Sequence, residues 1–263
     1  MPRFERHATT GYPIPPIDEG TKLDANIGVG CLLGPNVRLG ARSVLHPYAV
    51  VVRDTCLGED NIVHPFAVLG GDPHDLKYAG EPTELWIGDR NVIREHASIH
   101  RGTGAGGGCT KLGNENLVMA HCHVGHDVSI GSGCIIGSGT SLGGHVVVQD
   151  FARLGGNVSI AQRVRIGTHA FVGGHSGIDR DVPPFCVAYG NRPRKIRGAN
   201  LAALRRTLDR ATLMLVRAVV AVWTDSRLSK GEAIARIREE HGAAPAAIEF
   251  LKFVESAQRG VLR

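Results

Sequence analysis

The hydrophobic positions of the chain recur at every sixth residue. From Leu112 the series runs through Val118, Val124, Ile130, Ile136, Leu142, Val148, Leu154, Ile160, Ile166, Val172 and Ile178. Glycine follows eight of these twelve anchors. Four places after each anchor the residue is small or β-branched, as in Cys134, Thr140, Ala152, Val158 and Ala170, with Asn116 the bulkiest. A helical stripe has a period of about 3.6 and a half-buried strand a period of 2, so neither gives this pattern. A repeat of six with an inward aliphatic anchor predicts a parallel β-helix, three hexads making one triangular coil of about 18 residues. The glycines are expected at corners, where backbone freedom matters. Residues one coil apart then stack at about the inter-strand spacing of 4.8 Å. That puts His126, Gly144 and Gln162 in one column and Asp127, His145 and Arg163 in the next, with open space over the His126 ring.

The same phase begins earlier, at Ile27, and continues through Leu33, Leu39, Leu45, Val51, Leu57, Val63 and Leu69, then Ile87, Ile93 and Ile99. Residues 1–26 read as irregular, with Pro13, Pro15 and Pro16 blocking regular structure and Ile17 and Leu23 marking degenerate hexads. Two insertions interrupt the array, near 70–85 and 101–111. Loops of a solenoid tend to carry function. The mix of Asp75, Lys77, Tyr78 and Glu81 marks the first as a binding loop, whereas the glycine-rich second reads at least as well as a flexible excursion. After Pro183 and Pro184 the composition turns to Ala, Leu, Arg and Glu, which predicts helices near 200–208, 209–224, 229–241 and 245–258. Ser229 with Glu232 signals a capping box, and Pro245 suits a first helical turn. The expected organisation is a β-helix over 1–190 and a small α-helical domain over 191–263 that caps its open end.

Composition changes this picture in a few respects. Only 5% of residues are aromatic and 35 are glycine, which suits a narrow solenoid filled by aliphatic side chains. No apolar run is long enough for a membrane span, and no signal-peptide core is present, so a cytoplasmic protein is expected. The six cysteines form no CxxC pair and read as small reduced residues. From Arg192 onward lie 15 of the 30 Lys and Arg but only 7 of the 25 Asp and Glu. A basic end attracts an acidic partner. Aromatic residues interleaved with the charges are lacking, which argues against nucleic acid.

His121, His123 and His126 cluster in sequence, with Asp127 next, but alternation on a strand keeps the three from meeting within one chain. His126 beside Asp127 has the composition of a general base, since a carboxylate can orient the imidazole and support its charged form. A rival reading is a zinc site of the γ-carbonic-anhydrase type, in which three histidines are shared across a trimer interface, using His121 and His126 with His96 or His100. Cys122 faces the opposite way from its histidine neighbours, so no nucleophile pair is evident. No phosphate-binding or dinucleotide fingerprint is present. No cofactor or bound metal is expected.

These motifs taken together resemble one family. The hexads, the loop GGDPHDLKYAGEPT, the segment IHRGT with its Gly-rich insertion, HxxHD at 123–127, GGHV at 143–146, DVPPF at 181–185 and the ending RGVLR look like UDP-N-acetylglucosamine 3-O-acyltransferases. The resemblance spans nearly the whole chain after about residue 17. It implies a left-handed β-helix, an exception to the right-handed crossover rule. It also implies a homotrimer with sites between subunits, which moves an acyl chain from acyl carrier protein to the sugar 3-hydroxyl of UDP-N-acetylglucosamine in lipid A biosynthesis. On that basis His126 is the base, Asp127 its orienting partner and the Gly144 N–H the oxyanion donor. His123, His145, Asp75, Lys77 and Gln162 match sugar, phosphate or acyl contacts, and Asn200 and Arg206 match uridine-diphosphate contacts. Gly174 matches the floor of the acyl groove. The chain departs from the pattern at Ala161, where His is usual, and at Ala202, where Glu is expected; the segment 192–197 is longer and more basic. A related acyltransferase with a 3-amino acceptor or a coenzyme-A donor is the alternative.

Overall fold

The computed structural model describes residues 26–191, 195–205 and 208–263. The expectation of irregular structure over most of 1–26 lies outside them, as do Arg192, Arg194 and Arg206. Twenty-five short strands among the described residues form three sheets of ten, eight and seven strands, the flat faces of a left-handed parallel β-helix. Strands stack on those one coil away, Leu117 on Ile135 and His123 on Ser141, a shift of 18. The two insertions widen that step locally: Val92 pairs with Ile62 and with Leu117. Following the chain, each coil passes through the first sheet (anchors such as Val118), the second (Val124) and the third (Ile130).

From Leu45 on, the anchors are buried, whereas Ile27, Leu33 and Leu39 at the open end are partly exposed. The glycines after the anchors serve a different purpose from the expected one. The left-handed backbone falls two places later and is carried mostly by other residues, among them Tyr48 (φ 64°), Asp127 (φ 59°), His145 (φ 61°) and Arg163 (φ 63°). The glycines lack room instead. A Cβ on Gly137 would lie 2.5 Å from the carbonyl carbon of Gly155, and one on Gly131 would lie 2.1 Å from Asp150 Oδ1. Close approach of successive coils is what excludes a side chain there.

The fourth position after the anchor also points inward, and in three consecutive coils it holds a buried asparagine. Asn91 Nδ2 donates to Asn61 Oδ1 and to the Gly113 carbonyl, both at 3.0 Å, and Asn91 Oδ1 accepts the Asn116 N–H at 2.9 Å. Asn116 repeats the pattern toward Gly131 and Cys134. This ladder satisfies corner groups that water cannot reach.

At its far end the first sheet gains an unforeseen antiparallel strand, Lys195–Ala199, paired with Cys186–Tyr189. Four helices follow: α1 (Leu201–Leu204), α2 (Arg210–Thr224), α3 (Lys230–His241) and α4 (Pro245–Glu255). α1 and α4 are shorter than the sequence suggested. The capping box of Ser229 and Glu232 is formed, and Pro245 opens α4. Arg165 ties the helices to the solenoid. It is paired with buried Asp181, donates to the Phe253 carbonyl and stacks 4.4 Å over the Phe253 ring. Arg263 donates to the carbonyls of Trp223, Asp225 and Leu228, pinning the chain end between α2 and α3. No described helix is long and apolar enough to cross a membrane.

Candidate active site

The edge that follows the second sheet gathers the chemistry. His126 and Asp127 occupy its corner one coil below Gly144 and His145. Both side chains of the pair are buried, 7% and 2% exposed, so water competes little for their contact. His126 Nδ1 donates to Asp127 Oδ2 at 2.7 Å. That bond fixes the tautomer and leaves Nε2 with the lone pair, the arrangement of a base. The predicted column is present: a Cβ on Gly144 would lie 2.5 Å from His126 Cε1 and 2.6 Å from Nε2. The Gly144 N–H has no partner among the described residues. The coil leaves the equivalent amide free at other corners too. What distinguishes Gly144 is its place against the base.

Asp127 is held from a direction the sequence did not reveal. The Thr103 N–H and Oγ1–H donate to its two carboxylate oxygens at 2.9 and 2.7 Å, and Thr110 Oγ1 accepts its backbone N–H at 2.8 Å. Gly106 packs so close that a Cβ would lie 2.1 Å from the Asp127 carboxyl carbon. The second insertion is therefore a clamp on Asp127. It forms a short 3₁₀ turn, Gly104–Gly106, capped by Thr103, which replaces the expected flexible excursion. Its neighbour Arg101 is 1% exposed and binds the Gly70 carbonyl, Asp72 and Tyr78, locking the first loop to the second. Neither Thr103 nor Arg101 carried a repeat signal. The adjacent glycines were the available clue.

His145 meets His126 edge-on at 5.1 Å, with Nδ1 3.8 Å from Asp127 Oδ2. Burial holds its imidazole below the usual value, against the pull of Asp127. His123 Nδ1 lies 3.1 Å from Ser98 Oγ, and burial lowers it also. Gln162 caps the column next to Gly143. The first loop emerges on this edge, with Asp75 folding over its own backbone to accept the Lys77 N–H at 3.0 Å. His100, named from the sequence only as a possible zinc ligand, and His74, not named, join His123 there, the ring centres 5.0 and 5.4 Å away. Burial pushes His100 down to about 4.

Two expected contributors lie elsewhere on one protomer. Gly174 sits on the edge after the first sheet, in the small-residue column with Ser138 and Gly156. Asn200 is buried and its amide donates to the His169 carbonyl at 2.9 Å, on the edge after the third sheet. Arg206 lies outside the described residues. His121 and His126, the pair of the zinc reading, are on different edges of the chain, His121 stacking on His96 at 4.9 Å. Cys122 is buried and its thiol reaches the Gly137 carbonyl, as alternation required.

Comparisons with known proteins agree with this geometry. The model of the second domain of UDP N-acetylglucosamine O-acyltransferases matches residues 181–262, and the bacterial transferase hexapeptide model matches residues 109–144. The chain is 40% identical over 255 residues to the acyl-[acyl-carrier-protein]–UDP-N-acetylglucosamine O-acyltransferase of Syntrophobacter fumaroxidans, spanning 96% of this chain and 99% of that one. The chain belongs to the UDP-N-acetylglucosamine O-acyltransferase family. Solved structures of family members superpose closely. LpxA from Acinetobacter baumannii gives a TM-score of 0.87 at 37% identity, over 91% of this chain and 93% of that one. The UDP-N-acetylglucosamine acyltransferase from Bacteroides fragilis gives 0.81 at 31%, over 91% and 96%.

Proposed function

We propose that this family member transfers a 3-hydroxyacyl chain from acyl carrier protein to the 3-hydroxyl of UDP-N-acetylglucosamine, opening lipid A synthesis. The observation that carries the reading is the buried His126–Asp127 pair with Nε2 free beside Gly144. His126 Nε2 takes the proton of the sugar 3-hydroxyl as its oxygen attacks the thioester carbonyl. The carbonyl oxygen becomes an oxyanion that the Gly144 N–H stabilises. Collapse breaks the carbon–sulfur bond, and the imidazolium returns its proton to the departing carrier thiolate. Asp127, held by Thr103, keeps the ring oriented and supports its transient charge.

Asp75, Lys77, His123, His145 and Gln162 surround the reacting sugar on this reading, while Asn200 and Arg206 serve the nucleotide. His126 and Gly174 occupy different edges of one prism, so a groove lined by both takes one from each of two protomers; this supports a homotrimer with shared sites. Stacked rings of Tyr48, Phe66, His96 and His121 leave an aromatic ridge on the first edge, suited to such contact. Lys195 and Arg197 are both exposed on the last strand and offer the acidic carrier a basic landing surface. Soluble substrates on both sides of the reaction suit the cytoplasm.

The test is product analysis. Acyl carrier protein thioesters are offered with UDP-N-acetylglucosamine and with its 3-amino counterpart, and the product bond is located by mass fragmentation. A 3-O-ester is expected. An amide formed in preference, or no transfer to either acceptor, overturns the reading.

A further inference from the structure

One ring nitrogen from each of His74, His100 and His123 lies within 4.8 Å of the other two. The rings of His74 and His100 are 4.0 Å apart, and His123 faces both. His100 is only 8% exposed, and its Nδ1–H donates to the Asp72 carbonyl at 2.8 Å. The tautomer so fixed leaves Nε2 with a lone pair, and that buried atom has no hydrogen-bond partner. A buried acceptor without a partner is costly and points to a ligand. His123 is likewise held through Nδ1, by Ser98 Oγ at 3.1 Å. Two imidazoles each held through Nδ1 by a protein oxygen, with Nε2 left for another partner, have the form of metal ligands with an outer shell already built. His74, exposed on the first loop, supplies a third that can adjust.

We propose that His74, His100 and His123 form a binding site for a divalent transition-metal ion of the zinc class, and that an ion held there reversibly closes the mouth of the sugar site. Three neutral imidazoles suit zinc, copper or nickel rather than magnesium or calcium. Zinc bonds of about 2.0–2.1 Å in tetrahedral geometry bring nitrogens to about 3.4 Å from one another, so the rings must close in, and the loop residue His74 is the one free to move. The fourth position remains for water or a substrate oxygen. His123 lies on the second sheet, in the strand that leads into the corner holding the base His126, so the ion stands where the sugar approaches. This second half rests on the function proposed above; the binding half does not.

Equilibrium dialysis of the metal-stripped full-length protein against Zn²⁺, with Co²⁺ as a spectroscopic substitute, tests the site directly. One ion per chain is expected, and Co²⁺ should show the intense ligand-field bands of a four-coordinate nitrogen site. His74→Gln, on an exposed loop, should fold normally and weaken binding by at least about tenfold. His100→Gln should do the same, while His145→Gln should leave binding unchanged. In the acyl-transfer assay Zn²⁺ should inhibit the wild type and leave His74→Gln at its own metal-free rate. Several outcomes overturn the site: no stoichiometric binding, equal affinity in His74→Gln, or loss of binding in His145→Gln, which would move the ion to the His126, Asp127 and His145 group. Stoichiometric binding without inhibition refutes the closing of the sugar site alone.

Discussion

Replacing Gly144 by Ala puts one methyl group against the base. Its carbon would lie 2.5 Å from His126 Cε1, 2.6 Å from Nε2 and 3.1 Å from Nδ1. Carbon atoms pack at about 3.5–4.0 Å, so the ring has to retreat by about 1 Å. Retreat strains the 2.7 Å bond to Asp127, whose carboxylate cannot follow because Thr103 and Gly106 hold it. A misplacement of about 1 Å at a reacting group costs about 10²-fold in rate. Gly144 does not have the left-handed backbone that disfavours side chains, so the coil should survive the change. Single-turnover transfer from acyl carrier protein is the assay, with thermal melting as the control. The decisive comparison is a double-mutant cycle. If the methyl acts by displacing the ring, Gly144→Ala should change the residual rate of His126→Ala by no more than about twofold. A full 10²-fold loss in the His126→Ala background would refute the displacement argument, as would wild-type activity in Gly144→Ala itself.

Three further outcomes are expected. Asn91→Ala leaves the Asn116 N–H and the Gly113 carbonyl without a buried partner, which should cost about 2–5 kcal/mol in denaturant unfolding; a loss under about 1 kcal/mol would contradict the ladder's role. Reversing Lys195 and Arg197 to Glu should raise the Michaelis constant for acyl carrier protein and flatten its salt dependence, whereas a change confined to the nucleotide-sugar constant would reassign the patch. Gly174→Met should shift chain-length preference toward shorter thioesters, each lost methylene worth about 0.8 kcal/mol. A Cβ there meets only Gly156, its carbonyl oxygen at 3.1 Å and its nitrogen at 3.7 Å, so the variant should fold, and an unchanged chain ranking would remove Gly174 from the groove.

The solenoid was legible because its constraint is local and repeated. An inward anchor at every sixth position states where each strand lies and, by addition, which residues stack, so the His126–Gly144 column could be read before any coordinates. The clamp on Asp127 was not legible. Thr103 meets Asp127 across 24 residues through a loop that breaks the phase, and nothing in the repeat fixes where such a loop folds back. The glycines after the anchors were found but misread, because crowding by the next coil and left-handed backbone both select glycine and only geometry separates them. Strand Lys195–Ala199 escaped for a related reason. It pairs antiparallel at the end of a parallel sheet, where the hexad period no longer applies. The hold on Asn200 was equally hidden, since its amide donates to the His169 carbonyl across 31 residues, outside the hexad phase.

The central claim is that His126 Nε2 removes the proton of the sugar hydroxyl. Its most direct test is the turnover of His126→Ala with acyl carrier protein thioester and UDP-N-acetylglucosamine, both saturating, beside the wild type. The account predicts a fall of about 10²-fold or more in turnover, with oligomeric state and melting temperature unchanged. Near-normal turnover from the pure, folded variant would contradict it.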